Sequence, residues 1–252
     1  MEIKLMERLL KSSNTTSSRG GFTIVEVLVA VAISGVVMGG IYSAYYSQQK
    51  SYEVQEKVVA VQQNLRAAMY FLEREIRMAG LDPQDIGTLG IIPPSTADTT
   101  ATTSSSLRFS EDVSDPDDVD GDDELNEPSG TKENSEDIKY EIIDQNLMRT
   151  TGKDTADVTA QTIANNIEYL GFVYLDSDGT VIPTITAANV GSIRSVQVSI
   201  IGRSERQDPA YTSNDKFKNL QGTTIGTYSD HYRREMLTAQ VKCRNIGLGE
   251  VE

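Results

Sequence analysis

The chain has 252 residues, 37 of them acidic and 23 basic, and its formal net charge of −14 argues against a nucleic-acid-binding surface. One cysteine, Cys243, excludes an intramolecular disulfide. The single histidine, His231, reads as a surface or strand-edge residue with no nucleophile at a recognised spacing, and there is neither a phosphate-binding glycine loop nor a zinc-type Cys/His cluster, so the chain reads as a non-enzyme.

Met1 to Gly21 is polar and net positive, with Lys4, Arg8, Lys11 and Arg19 against Glu2 and Glu7. From Phe22 to Tyr46 the chain is apolar, and Glu26 is the only charge in those 25 residues. About 20 mainly apolar residues let a helix cross a hydrocarbon core. An ordinary secretory signal ends in its apolar region and then a small-residue cut site. Here the polar part comes first, so a cut at Gly21-Phe22 removes the leader (1–21) and leaves the membrane helix (22–46) on the mature chain. The basic leader marks its own end as cytoplasmic and sends the bulk of the chain across the membrane. Glu26 is costly inside lipid, by about 2.5–3.5 kcal/mol at the centre of a span. Two readings stay open for it: a carboxylate near the membrane edge beside the positive end of its helix, or one with a partner. Gly35 and Gly39 form a GxxxG spacing that lets helices approach closely in lipid.

From residue 47 to 80 the pattern turns amphipathic. Val54, Val58, Val61, Leu65, Ala68, Leu72, Ile76 and Ala79 recur at helical spacing, with charged and amide residues between them. Gly80 stands in the carboxyl-cap position with Pro83 beyond it. The spacing predicts one helix from Phe22 to Ala79, roughly 87 Å long at 1.5 Å per residue, whose second half is covered by a sheet rather than by a coiled-coil partner.

Residues 81–137 read as a loop-rich insertion. Thr96 to Ser106 is a Ser/Thr/Ala tract, and Glu111 to Asp137 holds thirteen acidic residues and one lysine, a composition of exposed loop or disorder. Leu107-Arg108-Phe109 between them is a short strand. In the acidic block Asp118, Asp120, Asp122 and Glu127 are candidate calcium ligands, since Ca²⁺ takes six to eight oxygens. With Gly121 as the loop glycine, however, Pro116 stands where the first Asp of an EF-hand belongs.

Strand signals fill 138–252. Ile138 to Met148 alternates imperfectly; Ile167 to Leu175 and Thr180 to Ile185 flank the Asp-Gly turn signal of Asp176-Ser177-Asp178-Gly179. Ser195 to Ile201 puts Val196, Val198 and Ile200 on one face, and Met236 to Arg244 is a half-buried last strand that buries Cys243 as a structural thiol. One long helix followed by strands is an α+β arrangement, the helix packed on an antiparallel sheet. Arg203, Arg206, Arg233 and Arg234 gather either into a basic patch or into ion pairs with acidic neighbours.

Gly21-Phe22-Thr23-Ile24-Val25-Glu26, with the basic leader before it and the unbroken apolar span after it, resembles the processing site of type IV prepilins and type II secretion pseudopilins. Arg74-Glu75-Ile76-Arg77-Met78-Ala79-Gly80, Asn165 through Tyr174, Arg203-Ser204-Glu205-Arg206, Asp208-Pro209-Ala210-Tyr211 and Tyr232-Arg233-Arg234 are similar to the PilW group of minor pilins. Pseudopilins of the J type share several of these. The resemblance implies a pilin-like fold and a cut by a prepilin peptidase that then methylates Phe22. It implies that Glu26 meets the amino terminus of a neighbouring subunit and sets the axial register of a filament. It also implies other minor and major pilins and an inner-membrane assembly platform as partners. The expected function is a minor pilin that helps initiate or cap a type IV pilus; the alternatives are a J-type pseudopilin of type II secretion and a tip adhesin or DNA-capture subunit. Many major pilins close a loop with a disulfide near the carboxyl end and kink this helix with a proline, and the chain departs from both patterns.

Overall fold

The computed structural model describes residues 20–81, 89–111, 137–152 and 158–246. They comprise one helix, α1 (Ile24–Met78), and strands β1 (Leu107–Ser110), β2 (Asp137–Ile143), β3 (Asn146–Thr151), β4 (Thr159–Ala164), β5 (Ile167–Leu175), β6 (Val181–Ile182), β7 (Ser195–Arg203), β8 (Lys216–Lys218), β9 (Thr224–Thr227) and β10 (Arg234–Lys242). The chain divides into two compact units, the first ending at Tyr52 and the second beginning at Glu53.

In the second unit every strand pairing is antiparallel. One sheet has the order β1-β2-β3-β4, a second β10-β7-β5-β6, and β8 and β9 form a small hairpin. The stripe on α1 buries Val61, Leu65, Ala68, Leu72 and Ile76, and Met69 joins them beside the stripe. They share one core with Leu107, Phe109, Ile138, Tyr140 and Leu147 from the first sheet, and with Ile167, Leu170, Phe172, Val196, Val198 and Ile200 from the second. Helix and sheet come close at Gly202, where a Cβ would meet Leu65 and Val61 side-chain carbons at 3.1–3.3 Å. The fold is thus α+β, a long helix packed on antiparallel sheets. Truncating a fully buried member such as Leu72 to alanine costs on the order of 2–5 kcal/mol.

The helix stops as its sequence signals. Gly80 has φ +75°, a left-handed conformation that favours glycine, and its N–H leaves the helix to donate to Ser110 O at 2.9 Å. Pro83 lies outside the described residues, as do Met1 to Arg19 and the acidic block from residue 112 to 136 with its candidate calcium ligands.

Several strand expectations need correction. Ile138 to Met148 is a hairpin of β2 and β3, turning at Asp144 and Gln145 with φ 49° and 63°. Both central residues have positive φ, as in the tight turns that match the twist of a hairpin. The strand after Gly179 is Val181–Ile182 only, because the chain turns away through Thr184 to Asn189, where Asn189 bridges Thr184 O and Thr186 N–H. The last strand is Arg234–Lys242 rather than Met236 to Arg244. β7 lies between β10 and β5, and both of its faces are covered from Ser195 to Gly202, so its buried set is larger than Val196, Val198 and Ile200. The Ser/Thr tract, expected as exposed loop, buries Ala101, Thr102 and Ser106. Thr102 Oγ1 donates to Ile92 O at 2.6 Å, and Ser106 N–H donates to Thr103 Oγ1 at 3.1 Å. Short hydroxyl side chains fold such a segment by bonding the nearby backbone. Next to it Arg108 is buried, with its Nε donating to Asp137 at 2.8 Å and its Nη1 3.3 Å from Asp98.

Candidate assembly site

The amino-terminal unit begins with Gly20 to Phe22 fully exposed, Phe22 at 87%. Thr23 caps α1. Its hydroxyl oxygen accepts the Glu26 N–H at 3.2 Å, while the Glu26 carboxylate accepts the Thr23 N–H at 2.9 Å and the Thr23 hydroxyl at 3.0 Å. This reciprocal arrangement is a capping box, which satisfies two of the unpaired donors at a helix start. The Thr23-x-x-Glu26 spacing was there to be read in the sequence and was overshadowed by the lone charge in an apolar run. The capping box holds the carboxylate at the mouth of the helix, four residues beyond Phe22.

Beyond the cap the helix is apolar all round, and the residues of α1 up to Lys50 are exposed, including Ile24, Val25, Leu28, Val31, Ile33, Val36 and Ile41. Its most apolar window of eighteen residues has a mean hydropathy of 2.4. An exposed apolar surface of this extent marks a membrane or protein contact, and a helix apolar on every side suits lipid or the core of a helix bundle. Gly35 and Gly39 both sit in regular helix with no foreign atom within 4 Å of where a Cβ would stand, leaving that face open to another helix. Tyr42, Tyr45, Tyr46 and Tyr52 follow, all exposed. Amphipathic aromatic rings at the end of an apolar span settle at a membrane–water boundary. Their role was missed in the sequence reading, although their clustering at the end of the apolar run, with Tyr52 just past it, was the available signal.

In the second unit the structure brings the separate motifs around Glu168, Arg203, Asp208, Tyr211 and Arg234 into one cluster. Arg234, whose side chain is 1% exposed, pairs with Glu168 at 2.5 Å and Asp230 at 2.6 Å. Arg233 donates to Asp208 at 2.8 Å, and Arg203 lies 3.8 Å from Glu168. Each guanidinium also covers an aromatic ring: Arg203 over Tyr232 at 4.2 Å, Arg233 over Tyr211 at 4.1 Å and Arg234 over Tyr228 at 3.8 Å. The hydrogen bond from Arg234 holds the Asp230 carboxyl down to about 2, and Arg233 holds Asp208 below the usual carboxylate range. Of the two readings, ion pairing is observed for Arg203, Arg233 and Arg234, while Arg206 forms no ion pair among the described residues. The cluster fastens the ends of β5, β7 and β10 together. His231 is exposed, with Nδ1 against Tyr211 O, and Cys243 is buried, its thiol pushed up to about 12 by that burial.

A buried acid lies where β1 ends. Glu111 is 7% exposed, and its Oε2 has no hydrogen-bond partner among the described residues. Its carboxyl is pushed up to about 7, first by burial and then by the charge of Glu75, against the opposing pull of Arg149 and Arg74. Glu75 itself accepts from the Tyr140 hydroxyl at 2.5 Å and from Arg149 Nε at 3.0 Å. Among the described residues there is no group of three or more His, Cys, Asp or Glu side chains placed to hold a metal ion.

Two family models match separate parts of the chain. "Prokaryotic N-terminal methylation motif" matches residues 16–42, and "Type IV Pilus-assembly protein W" matches residues 131–245, the stretch that contains β2 to β10 and the arginine cluster. No curated protein matches. A similar solved structure is the type IV-like pilin TTHA1219 from Thermus thermophilus, at 13% identity and a TM-score of 0.48, covering 74% of this chain and 97% of that one.

Proposed function

We propose, from the premise that the chain belongs to the type IV pilin family with PilW-like similarity, that it is a minor pilin of a type IV pilus that helps start or cap the fibre. Pilins are structural rather than catalytic. The observation that carries this reading is the form of α1: a processing motif at its start, an exposed apolar stretch after it, and a carboxyl-terminal stretch buried under sheets.

In this reading a prepilin peptidase of the membrane cuts between Gly21 and Phe22 and methylates the new amine. The subunit then waits in the inner membrane with its amino terminus at the cytoplasmic side and its sheet domain on the far side. On assembly the exposed face of α1 exchanges lipid for the helices of other minor and major pilins, with Gly35 and Gly39 permitting close approach. Glu26, held at the helix mouth by Thr23, then pairs with the amino terminus of a neighbouring subunit and sets the register. The inner-membrane assembly platform drives that transfer. The test is to shear fibres from the native host and probe them for this chain, alongside a strain lacking it. The expected result is the chain in the fibre fraction and fewer fibres in the deletion strain. Its absence from fibres, with normal fibre numbers in the deletion strain, overturns the proposal.

A further inference from the structure

The outer edge of β10 carries an inference about how the sheet domain meets its neighbour. β10 pairs with β7 in one continuous register, from Arg234↔Arg203 to Lys242↔Ser195, and lies at the end of its sheet. The ladder's two ends fix which backbone groups face which way. Ser204 N–H donates to Arg233 O at 2.8 Å, and Cys243 N–H donates to Arg194 O at 3.0 Å. Hydrogen-bonded pairs alternate along an antiparallel ladder, so the odd-numbered residues of β10 bond to β7. The N–H and C=O groups of Met236, Thr238 and Gln240 therefore point outward, and among the described residues nothing bonds them.

Edge strands are normally blunted by shortness, charge, proline or a bulge. The other edges of the two main sheets show such devices. β6 is two residues long, β4 is offset by a register shift at Leu147/Met148, and β1 is covered by Gly90 and Ile92, which bond Ser110 and Arg108. From Met236 to Val241 β10 has no charge, no proline and no bulge. Such an edge accepts an extended segment of another polypeptide through main-chain bonds.

The charges choose the partner. Lys242 is exposed and forms no ion pair among the described residues. Antiparallel pairing of two β10 edges sets outward-facing positions against one another, and those positions, Arg234, Met236, Thr238, Gln240 and Lys242, include no carboxylate, so a second copy puts none directly opposite Lys242 in any such register. We infer that the β10 edge is completed, on assembly, by an extended segment of an adjacent, non-identical subunit that places a carboxylate opposite Lys242. This rests on the reading of the chain as a filament subunit.

Thr238→Pro in the full chain tests it. Proline there deletes an outward N–H and leaves the β7 ladder intact, and edge strands tolerate it; Thr238→Val keeps the donor and serves as the control. The expected result is unchanged melting of detergent-extracted protein, with at least a tenfold loss of the proline variant from sheared fibres and none of the valine variant. Lys242→Glu is expected to lower incorporation as well. A folded Thr238→Pro subunit that enters fibres like the wild type overturns the inference alone. Wild-type chain missing from fibres overturns the filament reading and this inference with it. A homodimer in detergent that Thr238→Pro abolishes assigns the edge to a second copy and overturns the choice of partner. If the proline variant does not fold, hydrogen exchange decides. The Met236, Thr238 and Gln240 amides are expected to slow at least a hundredfold from detergent-held subunit to fibre, and unchanged exchange overturns the inference.

Discussion

Glu111→Gln flattens the pH dependence of the sheet domain's stability. The carboxyl is buried, its Oε2 has no partner among the described residues, and Glu75 lies near enough to repel it. Among the described residues, Glu75 and Arg74 from α1 and Arg149 from β3 are the charged groups that act on it. In the folded chain the group takes up its proton near pH 7, against an ordinary value of 4.5. The folded state therefore binds more protons than the unfolded state between those two values, and stability falls as pH rises through that window. The contribution is fully present below about pH 4.5 and lost above about pH 7. At about 1.36 kcal/mol for each pH interval of one between those two values, the whole swing is on the order of 3 kcal/mol. The assay is urea unfolding of full-length protein in detergent, followed by near-ultraviolet circular dichroism of the tyrosines, at pH 5 and pH 8. Wild type is expected to lose about 2–3 kcal/mol more than Glu111→Gln across that interval. The amide leaves an unpaired buried group of its own, but that cost does not vary with pH. Parallel profiles for the two proteins would refute the reasoning.

Two further outcomes concern segments that lie partly or wholly outside the described residues. Mature protein from the native host is expected to begin at Phe22 with a methylated amine, and an intact Met1 or a cut elsewhere in an intact-mass measurement contradicts that. Calcium held by Asp118, Asp120, Asp122 and Glu127 would raise the melting temperature of the full chain, since an ion that binds only the folded state stabilises it; equal midpoints with millimolar calcium and with chelator remove that site.

The helix was legible because its signals are local and repeated. The stripe from Val61 to Ile76 marks the buried face, and Gly80 marks the end through a single backbone preference. The amino-terminal motif was legible as a local pattern, and a methylation-motif model matches it over residues 16–42. The turn at Asp144-Gln145 was not, since it adopts positive φ without the glycine or asparagine that usually announces it. Nor was the fate of the Ser/Thr tract, whose burial depends on Ile92, Arg108 and Tyr174 arriving from elsewhere. The arginine cluster was visible as fragments. Which arginine meets which carboxylate follows from the antiparallel register of β5, β7 and β10, a nonlocal property that no single motif carries.

The most direct test of the filament reading separates the two jobs of Glu26. Glu26→Gln keeps the side-chain length and the acceptor of the capping box, as glutamine does at this position, and removes the charge that would meet a neighbour's amino terminus. Glu26→Ala removes both. Membrane and sheared-fibre fractions from the native host are compared by immunoblot, with processing at Phe22 as the control for insertion. The account predicts that both variants are cut, accumulate in the membrane and are depleted from fibres. Glu26→Gln entering fibres at the wild-type level, with only Glu26→Ala excluded, would reduce Glu26 to a helix cap and contradict its role in filament register.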